Sequence, residues 1–223
     1  MGLHFLMGVK KMPEIKNYWS TDELLHCPII GSKMSRNRFL EILRTLHFSD
    51  NKFPNINDRF WKLGSYLADI LGKFQDAINA GKFLCMNESL VGFKGRLVFR
   101  QYIPNKRCRF GVKFFVLVDQ KNNFILGMIP YQGKKTKFEG DKKKLGAGGA
   151  AVYTLLQNYL YKNHRVVTDS WFISPNLAQC LHENGTLLLG TAQKSRKNMP
   201  KMAGKMKKDS IQTYNTEKIL VER

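Results

Sequence analysis

NHRVVTDSWFISPNL, residues Asn163 to Leu177, holds a strand, an acid and a helix start in one short run. Val166 and Val167 are β-branched and favour extended backbone. Ser174 followed by Pro175 is a helix N-cap with proline at the first helical position, and Gly185 marks the stop. A strand that passes so directly into a helix puts Asp169 at the strand's carboxyl end. An acid there is well placed for chemistry, but one carboxylate does little alone. Its partners must come from other strands.

The flanking elements read as follows. TLLLGTAQ (186–193) is a last strand, and AAVYTLLQNYLYKN (150–163) is a helix of mixed character. KKTKFEGDKKKLGAGG (134–149) is a basic, glycine-rich loop. RQYIPNKRCRFGVKFFVLVDQKNNFILGMIPYQG (100–133) gives two strands joined by a polar turn at Asp119 to Asn123. KFLCMNESLVGF (82–93) gives one more. The order after Lys82 is strand, strand, strand, helix, strand, helix, strand, which specifies an α/β fold with a mixed sheet and flanking helices. The chain before Lys82 is helical. STDELLHC carries the capping-box pair Ser20 and Glu23. MSRNRFLEILRTLHFSD places Phe39, Leu40, Leu43 and Leu46 on one helical face. RFWKLGSYLADILGKFQDAINAG makes a stripe of Leu63, Leu67, Ile70, Leu71 and Phe74 that Gly81 is expected to close. Lys194 to Lys208 is basic and weakly patterned, as in a solvated segment.

Charge is the strongest global feature. Thirty-seven Lys and Arg against 17 Asp and Glu give +20, with a pI near 9.9. Such an excess suits a polyanion, nucleic acid before membrane. No apolar run approaches the roughly 18 residues of a membrane span, and the charges near the start follow the apolar patch, the wrong order for a secretory signal. Cys27, Cys85, Cys108 and Cys180 are scattered without a C-x-x-C pair, and His47 and His164 have no partner pattern. These read as reduced thiols in an intracellular protein, with no zinc site.

At the level of motifs, the chain resembles the piggyBac transposase family and its transposon-derived relatives. NESLVGFKGRLVFRQYIPNKRCRFGVK (Asn87 to Lys113) resembles the family block of an acid, Glu, F-[KR]-G-R, R-x-Y-[IM]-P-x-K and G-[IV]-K. VVTDSWFISPNL resembles the second block, V-T-x-D followed by aromatics and S-x-N-L. The run from Gly2 to Asn51 resembles the preceding helical segment, and TLLLGTAQKSRKNMP the strand that ends the first part of the core. The resemblance implies a ribonuclease H-like core of the DDE type over 83–195, a helical dimerisation and DNA-binding region over 1–82, and the basic start of an insertion over 196–223. It implies DNA phosphodiester chemistry with two Mg²⁺ ions about 4 Å apart, DNA as partner, a possible homodimer and a nuclear location. It implies no membrane and no small-molecule substrate.

Three departures shape the functional expectation. The first acid of the family triad is Asn87 here, and an amide brings no charge to bridge two dications. Asp169 matches the second acid, although Ser170 follows it where the family commonly has Asn. The third acid is expected beyond Arg223, after the insertion, so the core is expected to be incomplete at its C-terminus. Asp209, Glu217 and Glu222 lack its context. Glu88 is the neighbour of Asn87, but neighbours on a strand point to opposite faces. Asp119 reads as a turn residue. The expectation is a DNA-binding pseudoenzyme without nuclease or strand-transfer activity, holding no tightly bound cofactor, with Mg²⁺ only if the site were competent. The alternatives are an active transposase and a non-catalytic interaction scaffold.

The resemblance further implies phosphate contacts by Lys94, Arg96, Arg100, Lys106, Arg109 and Lys113. Arg36, Arg38 and Arg44 form a second candidate surface. Trp19, Phe39, Phe48, Trp61, Trp171 and Phe172 could stack on bases, but their spacing on apolar faces favours core packing.

Overall fold

Buried Leu84 and Met86 alternate with outward Cys85 and Asn87 to build the central strand, β1 (Phe83–Gly92). A computed structural model of the chain describes residues 2–63, 65–201 and 211–222. In it β1 pairs antiparallel with β3 (Phe110–Asp119) and parallel with β5 (Arg165–Thr168). The outer edge of β3 is shared by β2 (Gln101–Tyr102), opposite its start, and β4 (Phe124–Pro130), opposite the rest. On the other side β6 (Leu187–Gly190) runs parallel to β5. The spatial order is β4-β3-β1-β5-β6, the expected mixed sheet.

Two helices cover one face. α5 (Lys142–Leu156) and α6 (Pro175–Glu183) send Val152, Leu156, Leu177 and Leu181 against Leu84, Phe115, Leu117, Leu126 and Val166. Each such side chain stabilises the fold by about 1.5–3 kcal/mol when fully buried. Gly148 lets α5 come close, since a Cβ there would lie 2.7 Å from the Trp171 carbonyl oxygen.

The chain folds as two compact units, Met1–Tyr66 and Leu67–Arg223. The first contains α1 (Gly2–Val9), α2 (Pro28–Lys33) and α3 (Arg36–Thr45). Ser35 caps α3 by accepting the Arg38 N–H. Buried Tyr18 ties the turns together, donating to the Lys10 carbonyl (2.7 Å) and accepting the Met12 N–H (3.2 Å). All of α4 (Tyr66–Ala77) after its first residue belongs to the second unit and leads into the sheet, and β7 (Thr213–Asn215) pairs with β8 (Leu220–Glu222) as a short hairpin.

Three local expectations are corrected. No helix starts at Ser20: its hydroxyl accepts the Asp22 N–H, and Asp22 in turn accepts the Leu24 N–H. These consecutive side-chain turns replace the first helical turn. The basic, glycine-rich stretch is not all loop, because α5 begins at Lys142. Asp141 caps it by accepting the N–H groups of Lys143 and Lys144, and Gly146 (φ 72) kinks it. Gly81 does not stop α4, which ends at Ala77. Part of the basic segment expected over Lys194 to Lys208, and Asp209 after it, lie outside the described residues.

Gly81 instead meets Asp119, the fully buried last residue of β3. One carboxylate oxygen accepts the Gly81 N–H (2.9 Å); the other accepts the backbone and side-chain N–H groups of Asn122 (3.0 and 2.6 Å). Burial pushes the Asp119 pKa up, but the hydrogen bonds from Gly81, Asn122 and Lys121 outweigh it and hold the group below its ordinary value. Asp119→Ala is expected to cost about 1–3 kcal/mol in urea denaturation at neutral pH, because buried donors lose their acceptor. A lowered folded-state pKa means that ionisation stabilises above the unfolded-state pKa, and that this stability is lost as pH falls through the folded-state value. Asp119→Asn should therefore show a shallower acid loss of stability than the wild type.

Candidate functional site

The register that fixes β1 also brings the two expected acid positions together. Met86 sits opposite Thr168 in the parallel β1–β5 pair. Asn87 and Asp169 are the next positions after that last β1–β5 pair: Asn87 lies within β1, which runs on to Gly92, and Asp169 follows the end of β5. Both are exposed. Asn87 Oδ1 accepts the Glu88 N–H at 2.8 Å, and Asp169 Oδ1 accepts the Trp171 N–H at 2.9 Å.

Glu88 lies elsewhere. It is opposite Phe115, on the face covered by α5 and α6, and forms an ion pair with Lys113. The Lys113 ammonium lies 4.9–5.4 Å from the ring centres of Trp171, Phe115 and Tyr131. The pair is largely enclosed, with side chains 24% and 14% exposed for Glu88 and Lys113. Moving Glu88 to the place of Asn87 needs a one-residue slip that would turn Leu84 and Met86 out of the core. That slip would forfeit about 1.5–3 kcal/mol for each.

Arg196 was not legible as a site residue. Its Nη2 donates to the carbonyls of Ser170 (3.0 Å) and Trp171 (2.6 Å), clamping the turn that follows Asp169. No periodicity marks it within its basic run.

The six expected phosphate contacts divide into two groups. Lys94, Arg96, Lys106 and Arg109 are exposed, and their side chains have no partner among the described residues. Arg100 is exposed but engaged: its Nη1 donates to the carbonyls of Lys94 (2.9 Å) and Gly95 (3.1 Å), and its guanidinium lies 5.2 Å from the Phe110 ring centre. Lys113 is committed to Glu88. In the first unit Arg36, Arg38 and Arg44 are exposed on α3, with Arg38 beside Glu41 at 3.6 Å. Most of the singled-out aromatics serve packing. Phe39 and Phe172 are buried, Trp19 donates to the Met34 carbonyl, and Trp171 stacks on Phe115 with centroids 5.4 Å apart.

Two divalent cations require several anionic oxygens. Here one carboxylate and one neutral amide stand together, each already accepting a backbone N–H. Among the described residues, no three His, Cys, Asp or Glu side chains converge. This donor set does not fit a two-metal centre. Among the described residues, no helix is long and apolar enough to cross a membrane.

The model of the family described as Transposase IS4 matches residues 1–222. Human piggyBac transposable element-derived protein 2 is 26% identical over 233 residues, covering 100% of this chain and 39% of that protein. Human piggyBac transposable element-derived protein 3 is 25% identical over 195 residues, covering 87% of this chain and 33% of that protein. The chain thus spans 39% or less of the length of these two relatives. Among solved structures, the cryo-EM structure of a piggyBac transposase synaptic complex with hairpin DNA matches with a TM-score of 0.80 at 25% identity. The match covers 96% of this chain and 46% of that one, and identifies the sheet as ribonuclease H-like.

Removing either partner of the enclosed pair leaves the other charge facing aromatic rings. Glu88→Gln and Lys113→Met are each expected to destabilise the fold by about 1–3 kcal/mol. The double variant should recover part of that loss. A double-mutant cycle in urea measures the coupling, and additive losses would show that the pair does not interact.

Proposed function

The chain belongs to the piggyBac-type transposase family, and on that premise we propose that it is a transposase-derived DNA-binding protein that neither cleaves nor joins strands. The observation that carries the non-catalytic reading is Asn87. It stands beside Asp169 where the family places an acid, while the next residue in the chain, Glu88, is neutralised by Lys113 on the other face. Asp169 is then the remaining acid of the site.

The DNA reading rests on charge and placement. A net charge of +20 favours a polyanion. Lys94, Arg96, Lys106 and Arg109 project from one loop system around β2 and the start of β3. Such contacts hold phosphates without reading sequence. The matched transposase structure is a complex with hairpin DNA, which supports the same partner here. A protein acting on chromosomal DNA belongs in the nucleus, and imaging of a tagged chain checks that location.

Binding to labelled duplex DNA should weaken steeply with salt. If four side chains each neutralise one phosphate, the log–log slope is roughly −3 to −4. Replacing Lys94, Arg96, Lys106 and Arg109 with Gln should remove most of that slope. Salt-independent binding, or none, overturns the DNA reading. With Mg²⁺ present the duplex should stay intact. Cleavage that Asp169→Ala abolishes would overturn the non-catalytic reading.

A further inference from the structure

The basic loop system also carries exposed aromatic rings that the function above does not use. Between Glu88 and Asp119 the sequence contains seven Lys and Arg and no Asp or Glu. Within that acid-free interval Tyr102 on β2 stands opposite Phe110 on β3, with ring centres 4.7 Å apart and planes tilted by 31°. The rings are 57% and 42% exposed, unlike the aromatics of the core. The Arg100 guanidinium lies against Phe110, and its bonds to the Lys94 and Gly95 carbonyls hold the preceding loop closed.

An aromatic ladder flanked by cations is the arrangement that holds unpaired bases. Any base can stack on a ring face, while nearby Lys and Arg track the backbone. Inside a duplex the bases already stack on one another, and only the two end pairs offer a free face. The Arg100 bonds set the loop before any ligand arrives, which lowers the ordering cost of binding.

We propose that Tyr102 and Phe110 form a stacking platform for unpaired bases, so that this loop favours single-stranded or splayed nucleic acid over blunt duplex. The proposal rests on the DNA-binding reading and sharpens its substrate. Cross-strand aromatic pairs also stabilise short strands, and the variants below separate the two roles. Tyr102→Phe keeps the ring. Tyr102→Ala removes it, and Phe110→Leu keeps apolar bulk without a π face.

The test is fluorescence anisotropy of the full chain with a labelled poly-dT strand and, separately, a blunt duplex. Tyr102→Ala and Phe110→Leu should weaken poly-dT binding by about five- to a hundred-fold. Duplex binding should stay within about two-fold, and Tyr102→Phe should match the wild type on both probes. Equal losses on both probes would mean that the rings only support the loop, and the proposal falls. No loss on poly-dT sinks it too. A wild-type chain that binds neither probe overturns the DNA reading and this inference with it. Wild-type binding to duplex with poly-dT binding indifferent to Tyr102 overturns this inference alone.

Discussion

The backbone of Gly81 is held from two sides, and the rest of the sheet follows from that grip. Its N–H goes to Asp119 at the end of β3, and its carbonyl contacts Nδ1 of the buried His164 at 2.8 Å, just before β5. The next two residues continue the pattern. The Lys82 carbonyl accepts from Arg165, and the Phe83 carbonyl accepts from Gln120. The central strand is therefore tied to both neighbours immediately ahead of its first ladder pairs. A side chain at Gly81 would break this, since a Cβ there would lie 2.8 Å from Asp119 Oδ1. Given this register, Asn87 must fall beside Asp169, and Glu88 must face the core.

The same register explains how one stretch becomes so positive. The two acids that bound the interval from Glu88 to Asp119 are both spent inside the fold. Glu88 neutralises Lys113, and Asp119 satisfies Gly81 and Asn122. Neither is available to offset Lys94, Arg96, Lys106 and Arg109 at the surface. Within that interval the exposed charges are all cationic, and the enclosed Glu88–Lys113 pair adds no net charge.

The central strand was legible as a short apolar run, KFLCMNESLVGF. Which residues face inward was not, since Cys85 is as apolar as its neighbours; the structure buries Leu84 and Met86 and turns Cys85 and Asn87 outward. The helix of Pro175–Glu183 was legible from its Ser174 cap and Pro175. The start of α5 was not, because the glycines that allow it to approach Trp171 also imitate loop composition. The Ser20 capping pattern failed because Asp22 offers a competing acceptor two residues later. Lys113 counts among the expected phosphate contacts because a sequence cannot show that Trp171 and Tyr131 gather around its ammonium. Arg196 was hidden for the same reason: its partners are backbone carbonyls about twenty-five residues away.

Asn87 has a physical consequence beyond lost metal affinity. Two adjacent carboxylates repel one another and disfavour each other's ionisation unless cations balance them. Sites of that kind are held at a cost in stability. With an amide at 87, Asp169 has no charged neighbour on β1, and its oxygen can simply accept the Trp171 N–H. Arg196 then fixes the same turn from the other side through the Ser170 and Trp171 carbonyls. In the proposed reading, the place that elsewhere in the family gathers dications is here an ordinary strand-to-helix turn. In that reading the turn is held by hydrogen bonds to and from its own backbone and not by a metal.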